Sequence, residues 1–419
     1  MKEIFCDVAV VGSGPAGLAA AEAAGQNGAG RVLILERDLH RGGILQQCIH
    51  AGFGLSYFGL ELTGPEYAER FARRAERAGA QWLLGTTATE IRGDTLVCVN
   101  RSGLLYVRFG ALVLAMGCRE RTRANLAIPG SRPAGIYTAG TAQKLINLYG
   151  YRIGREVVIL GSGDIGMIMA RRLTLEGAHV QAVVELLPYL AGLQRNRVQC
   201  LDDFGIPLLL GHTVTDITGA DRVERVTIAP VDADRRPRTD QSRELPCDTL
   251  LLSVGLIPEN ELSRTGGVPL SGVTGGALVN QFMQTEAPAV FACGNALHVN
   301  DLVDRVSRES EQAGRCAALF ARGELPSGEE TALLPGDGVR YVCPNRLRPG
   351  GEDAVISFRV LRPSGRTRLQ AVSGGRVLAE KIALRTSPGV LEQIVLPAAA
   401  ARDLSSCVEI TALPEEGET

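Results

Sequence analysis

One block of this chain occurs twice, 149 residues apart. The first copy runs Asp7-Val-Ala-Val-Val-Gly-Ser-Gly-Pro-Ala-Gly17, continues through an alanine-rich stretch and closes on Arg31-Val-Leu-Ile-Leu-Glu36. The second runs Glu156-Val-Val-Ile-Leu-Gly-Ser-Gly-Asp-Ile-Gly166, then a helical pattern to Glu176, then Ala178-His-Val-Gln-Ala-Val-Val-Glu185. Each copy is an apolar strand, a glycine-rich turn, a helix and a second strand, with glycines at the same three places and an acid 24 residues after the first glycine. Two such βαβ units require two doubly wound domains with parallel sheets.

The spacing carries chemistry as well as fold. Gly12 permits a tight turn, Gly14 lets backbone approach a pyrophosphate, and Gly17 lets the helix, which opens at Pro15 and Ala16, pack on its strand. The helix N-terminus then faces the negative charge, and Glu36 at the strand end can accept hydrogen bonds from a ribose diol. Gly161, Gly163, Gly166 and Glu185 repeat the pattern, with Asp164 and Ile165 opening the second helix. A carboxylate at Glu185 repels a 2′-phosphate, and Leu186, Leu187 and Pro188 follow it where arginines would serve NADP, so NAD is favoured at the second site. The alternative at either site is the same fold kept without nucleotide.

The rest of the chain completes these domains. Gly110-Ala-Leu-Val-Leu-Ala-Met-Gly117 and Thr249-Leu-Leu-Leu-Ser-Val-Gly255 read as buried strands finishing the first and second segments. A further strand, Ala289-Val-Phe-Ala-Cys-Gly294, precedes a helical pattern from about Leu302 to Arg322, which returns the chain to its first domain. Pro326 to Asp337 reads as a linker. Beyond it, alternating stretches such as Asp353–Val360 and Val408–Thr411 predict strands. The fold expected is α/β: two Rossmann-like domains, the second inserted in the first, with residues 1–120 and 280–326 forming one, 121–279 the other, and a small β-rich domain over 338–419.

Composition excludes several other classes. The net charge is −2, and the basic residues, all but three of the 44 being arginine, are scattered among 46 acids, so neither nucleic acid nor an anionic membrane is indicated. The ten cysteines lie no closer than 20 residues apart, which excludes local iron–sulfur, zinc and CxxC spacings, and no metal site is expected. The apolar stretch Val8–Ala24 is broken by Gly12, Gly14, Pro15 and Gly17 and does not read as a membrane span. With no signal peptide in view, a cytoplasmic protein with reduced thiols is expected.

Two dinucleotide motifs, with one domain inserted in the other, resemble the two-domain flavoproteins of the pyridine nucleotide-disulfide oxidoreductase superfamily over about residues 1–325. Leu114-Ala-Met-Gly117 stands where that family has its Ala-Thr-Gly turn, Gly255-Leu-Ile-Pro-Glu-Asn260 stands at the equivalent turn of the second domain, and Cys293-Gly-Asn295 stands at the late FAD motif. The resemblance implies that Gly12, Gly14, Pro15, Ala16, Gly17, Glu36, Arg37, Gly43, Ala115, Gly117, Gly294 and Asn295 hold FAD. It implies that Gly161, Gly163, Asp164, Ile165, Gly166, Glu185 and Gly255 hold NAD(H). Asn295 departs from the family's aspartate and brings no charge to the ribityl chain. The redox cysteines are also missing: Gly42-Gly-Ile-Leu-Gln-Gln-Cys48-Ile-His50 has one thiol, and the second domain has no CxxC, so disulfide reduction is not expected.

Gly117-Cys-Arg-Glu-Arg-Thr-Arg123, Ile136–Gln143 and Cys293–Asp304 look like the subgroup related to FAD/NAD subunits of opine oxidase, hydrogen cyanide synthase and amino-acid dehydrogenase complexes. Gly42-Gly-Ile44 and Glu61–Tyr67 look like bacterial proteins encoded beside glycerol-3-phosphate dehydrogenase-like flavoproteins. The resemblance therefore implies hydride transfer between NAD(H) and FAD, an oligomer, and a partner subunit of the dehydrogenase type. Two other readings stay open. One is an FAD-bearing relay or assembly subunit with a vestigial second site; the other is a stand-alone amine or hydroxy-acid dehydrogenase. Cys48 and His50 are the catalytic candidates, as a lone thiol beside the flavin and a general acid or base, each against the plainer reading of a packed core residue. His298, Asp301 and Asp304 flank the start of the late helix as caps or supporting groups, and Arg119 and Arg121 could pair with Glu120 or bind an anion.

Overall fold

A computed structural model describes residues 2–348, 352–402, 404 and 406–415. The chain divides into two compact units, one running to Cys118 and resuming at Pro258, the other Arg119–Ile257. In chain order, the first unit opens with β1 (Lys2–Val11), α1 (Pro15–Gln26), β2 (Val32–Leu35) and β3 (Gly103–Leu114). The second contains β4 (Glu156–Leu160), α2 (Asp164–Leu175), β5 (His179–Glu185) and β6 (Thr249–Leu252). The first unit then gains β7 (Val290–Ala292) and α3 (Val303–Ala321).

In the first unit β1 is central and parallel to both neighbours, with Val10 opposite Ile34 of β2 and Val113 of β3. β7 adds in parallel to the end of β3, Phe291 opposite Val113. Strands covered on both faces need continuous apolar runs, and β2 is buried at all four residues. Alanine makes α1 a good helix former with little bulk, so it sits almost wholly inside against α3. The helices approach so closely at Gly314 that an added Cβ would stand 1.9 Å from the Ala20 carbonyl oxygen. In the second unit β4 lies between β5 and β6, with Ile159 opposite Val183 and Leu251, and Ile136–Thr138 and Leu208–Leu210 complete a parallel sheet.

The region read as linker contains a strand, Thr331–Pro335, paired in parallel with Val408–Pro414. Its Pro- and Glu-rich flanks hide it in the sequence, and the bond-forming partner lies more than seventy residues on. The β-rich region thus begins before residue 338 and falls within the first unit. It pairs Thr331–Pro335, Val408–Pro414, Thr367–Ser373 and Arg376–Ala383 in one sheet and Val339–Cys343, Ala354–Val360 and Glu392–Leu396 in another, around a core that includes Ile356, Phe358, Leu369 and Ile410. Among the described residues no helix is long and apolar enough to cross a membrane.

Candidate dinucleotide sites

The first glycine-rich turn is built by β1, α1 and β3 together. Gly12 takes φ +103°, and a Cβ there would meet the Ala115 carbonyl oxygen at 2.5 Å. A Cβ on Gly17 would sit 1.8 Å from the Gly12 oxygen, whereas one on Gly14 would meet nothing within 4 Å. The open direction at Gly14 lies at the first turn of α1, whose N-cap it is and whose N1 is Pro15. That is the cradle a pyrophosphate requires, and a side chain would fill it. Gly43 comes over the same turn, its Cβ direction ending 2.9 Å from Gly14 Cα, and Gly42 donates its amide to the Ser13 oxygen at 2.9 Å.

Glu36 is buried at the end of β2. Its Oε2 accepts from the Ser13 amide at 2.8 Å and the Ser13 hydroxyl at 2.7 Å, and Oε1 accepts from the Asp38 amide at 2.8 Å. The carboxylate is thus fixed beside the turn. Arg37 points outward, 72% exposed, and pairs with Glu259 at 3.9 Å. Gly117 takes φ +72° with open space at its Cβ position. Gly294, at φ +66°, is pressed against Ala16, to whose Cβ an added Cβ would come within 2.7 Å.

The second unit repeats the turn nearly atom for atom. Glu185 Oε2 accepts from the Ser162 amide at 2.8 Å and hydroxyl at 2.7 Å, and Oε1 from the Leu187 amide at 2.8 Å. Gly161 takes φ +99° against the Ser253 oxygen. Here, however, Ser253 stands where the first unit has Ala115. Its hydroxyl accepts from the Gly166 amide at 3.1 Å and lies 3.1 Å from the Cβ direction of Gly163. Asp164 Oδ1 accepts from the Leu193 amide at 2.8 Å and from Asn196 Nδ2 at 2.7 Å, and Ile165 follows it in the first turn of α2. Gly255, at φ +102°, accepts from the Arg121 amide at 3.0 Å.

The model of the pyridine nucleotide-disulphide oxidoreductase family matches residues 6–314, which spans both turns. The chain belongs to this family. Family members bind FAD and use pyridine nucleotides. This oxidoreductase is 27% identical to the HcnB subunit of hydrogen cyanide synthase from Pseudomonas aeruginosa over 82% of its own length and 77% of that protein's. It is 26% identical to an opine oxidase subunit from Agrobacterium tumefaciens over 78% of its length and 66% of the other chain. Thioredoxin reductase of T. acidophilum shares its fold at a TM-score of 0.62, with 23% identity, across 76% of this chain and 99% of that one.

Of the two catalytic candidates in this oxidoreductase, Cys48 is buried, and its Sγ donates to the Ile44 oxygen at 3.4 Å. Burial pushes the thiol up to about 12, so at neutral pH it is protonated and a weak nucleophile. Its carbonyl oxygen accepts from the Gly64 amide at 2.8 Å, where the helix Gly64–Arg77 begins. His50 is half-buried, with Nδ1 3.0 Å from the Ala51 oxygen and its ring 5.0 Å from that of Phe53. Glu120 accepts from the Gly140 amide at 2.8 Å.

Asp304 in the first turn of α3 is a tie to the segment after His50. Its oxygens accept from the amides of Gly54, Ser56 and Tyr57 at 3.0, 2.8 and 3.1 Å and from the Ser56 hydroxyl at 2.8 Å. Asp301 accepts from the Leu391 amide at 2.9 Å. Asn295 turns inward, Oδ1 accepting from the Asn300 amide at 2.9 Å and Nδ2 lying 3.5 Å from Cys118 Sγ.

The residue that sequence spacing did not single out is Glu309, on α3. Its Oε1 accepts from the Gly294 amide at 2.8 Å, and its Oε2 meets His298 Nε2 at 2.8 Å. His298 is fully buried, with Nδ1 3.4 Å from the Tyr341 hydroxyl. Burial opposes charge on this imidazole, but Cys343 and Glu309 beside it raise its pKa well above the usual value. Side-chain atoms of His298, Glu309 and Cys343 lie within 4.8 Å of one another. Only the fold reveals this cluster, since Cys343 belongs to the β-rich region.

Proposed function

We propose that this chain is an FAD-dependent oxidoreductase that passes a hydride between NAD(H), held by the second unit, and FAD, held by the first. Electrons would be exchanged onward with a partner dehydrogenase subunit. The observation that carries the reading is the duplicated turn, in which Glu36 and Glu185 are fixed by the same three hydrogen bonds beside equivalent glycines. At the first turn, the open face of Gly14 and the amide end of α1 fit a dinucleotide pyrophosphate.

When bound, FAD would supply the two-electron chemistry. The chain's own tasks are binding and orientation. Gly12, Gly17 and Ala115 set the turn; Gly14, Pro15 and Ala16 present it; Glu36 is placed for the adenosine ribose; Gly43, Gly117, Gly294 and Asn295 border the path of the remainder. At the second site Gly161, Gly163, Ile165 and Gly166 form the turn, with Asp164 and Gly255 beside it. Glu185 there favours NAD, because a buried carboxylate repels a 2′-phosphate. Hydride transfer itself asks for no acid or base from the protein. Membership of a larger complex draws support from the relatives named as subunits of hydrogen cyanide synthase and opine oxidase. The single thiol at Cys48 and its raised pKa argue against disulfide reduction.

The crowding of Gly163 by Ser253 favours a second reading, an FAD-bearing subunit whose second site exchanges no nucleotide. Anaerobic titration of the purified yellow protein with NADH, then NADPH, decides between them. Stoichiometric bleaching of the flavin by NADH, and much slower bleaching by NADPH, is the expected result. A flavin untouched by both nucleotides would leave the second reading.

A further inference from the structure

We propose that Glu309, held by His298, is a positioning residue that clamps the late motif Cys293–Asn295 onto the first turn of α1 and so shapes the FAD site. The inference rests on the FAD reading of the first unit. Gly294 lies against Ala16, one residue into α1, so closely that even a methyl group could not intervene. A contact this tight needs something to hold the backbone in register. Asn295, the motif's own polar residue, spends its oxygen on the Asn300 amide and points its nitrogen at Cys118. Its side chain therefore braces the following loop.

The Gly294 amide is instead taken by Glu309, fifteen residues on and facing back from α3. One carboxylate oxygen holds Gly294 at 2.8 Å while the other is fixed at 2.8 Å by an imidazole with no solvent exposure. A carboxylate bound at both oxygens, to a backbone amide and a buried ring, has little rotational freedom and serves as a rigid strut between α3 and the motif. The same α3 packs on α1 through Gly314, so the helix carrying the strut also fixes the turn against which Gly294 is pressed.

The geometry of the clamp depends on reach and on an acceptor oxygen at the Gly294 amide, and a variant series separates these from charge. E309Q keeps the reach and one oxygen for the Gly294 amide, with its NH2 placed to donate to Nε2 of a neutral His298; E309D keeps the charge and shortens the reach; E309A removes reach and acceptor together. The dissociation constant of FAD and the visible circular dichroism of the bound flavin are read for each, with far-ultraviolet circular dichroism of the apoprotein as the check of folding. The clamp predicts binding by E309Q within about threefold of wild type, and weakening of about tenfold in E309D and E309A with an altered flavin dichroism. If E309A fails to fold, E309D carries the test.

Wild-type affinity and dichroism in E309D would overturn the clamp, as would a loss in E309Q equal to that in E309A. Metal analysis of the purified protein supplies one more way to lose. A stoichiometric divalent ion that E309Q or C343S removes would assign His298, Glu309 and Cys343 to that ion instead. A wild-type chain that binds no FAD would sink the reading of the site itself, whereas wild-type binding with unaffected E309D sinks the clamp alone.

Discussion

Gly14 and Gly163 hold the same place in two copies of one sequence block, yet the first faces open space and the second a serine hydroxyl 3.1 Å away. The difference traces to one position at the end of a neighbouring strand, Ala115 in the first unit and Ser253 in the second. Ser253 also occupies the Gly166 amide, one of the helix-end donors that would otherwise face a ligand. The two turns thus share backbone geometry and differ in how much of the helix end the chain itself covers. Motif matching scores them as equal; the surroundings do not.

The largest effect should come from the glycine under each turn. G17A drives a methyl group into the Gly12 carbonyl oxygen, whereas at Gly166 the nearest atom is the Ser253 side chain at 2.7 Å, with the Gly161 oxygen at 2.9 Å. Chemical denaturation should show a loss of about 3 kcal/mol or more for G17A and a smaller loss for G166A. Equal losses would erase the contrast. G14A comes next. With nothing within 4 Å of its new methyl group, the fold should keep its stability while FAD affinity, followed by flavin fluorescence, falls about tenfold or more. Unchanged FAD binding in G14A would mean that the pyrophosphate lies elsewhere.

S253A sharpens the comparison from the other side. Removing a hydroxyl that accepts one amide hydrogen bond should cost about 1 kcal/mol of stability, while freeing the Gly166 amide should tighten NADH binding a few-fold, measured by calorimetry. Weaker NADH binding would show that Ser253 helps the ligand.

A smaller effect concerns the thiols. In the first unit, burial pushes Cys6, Cys48, Cys98, Cys293 and Cys316 from about 9 up to about 12; it acts alone at Cys48 and Cys98 and is the largest cause at the other three. Their folded values lie above the unfolded ones, so the stability they contribute is complete below pH 9 and is lost as pH climbs toward 12. Alkylation of the native protein with iodoacetamide at pH 8, read by mass spectrometry, should leave Cys48 unmodified. Ready labelling of Cys48 there would reopen its role as a lone reactive thiol.

Much of this was legible in the sequence because the signals are local. The turn glycines, Glu36 and Glu185 lie within one βαβ unit each, and their spacing is fixed by the length of a helix and two strands. Strand Thr331–Pro335 was not legible, because its pairing with Val408–Pro414 is long-range and its proline-rich flank reads as linker. Nor was Glu309, one of three acids in α3, which only the fold sets against the Gly294 amide. Asn295 shows the same limit: its motif position points to the cofactor, and only the fold shows that its side chain also reaches the Asn300 amide and Cys118. Local pattern identifies where a cofactor would lie, while the groups that hold the site in shape come from far along the chain.

In the proposed function the second unit binds NADH for transfer to a flavin in the first. Stopped-flow flavin reduction with NADH and with NADH deuterated at C4 tests it most directly. The account predicts full reduction by NADH, slowed by deuterium at the transferred position, as breaking that C–H bond requires. A flavin that stays oxidised under excess NADH, in a protein that retains FAD, would contradict it.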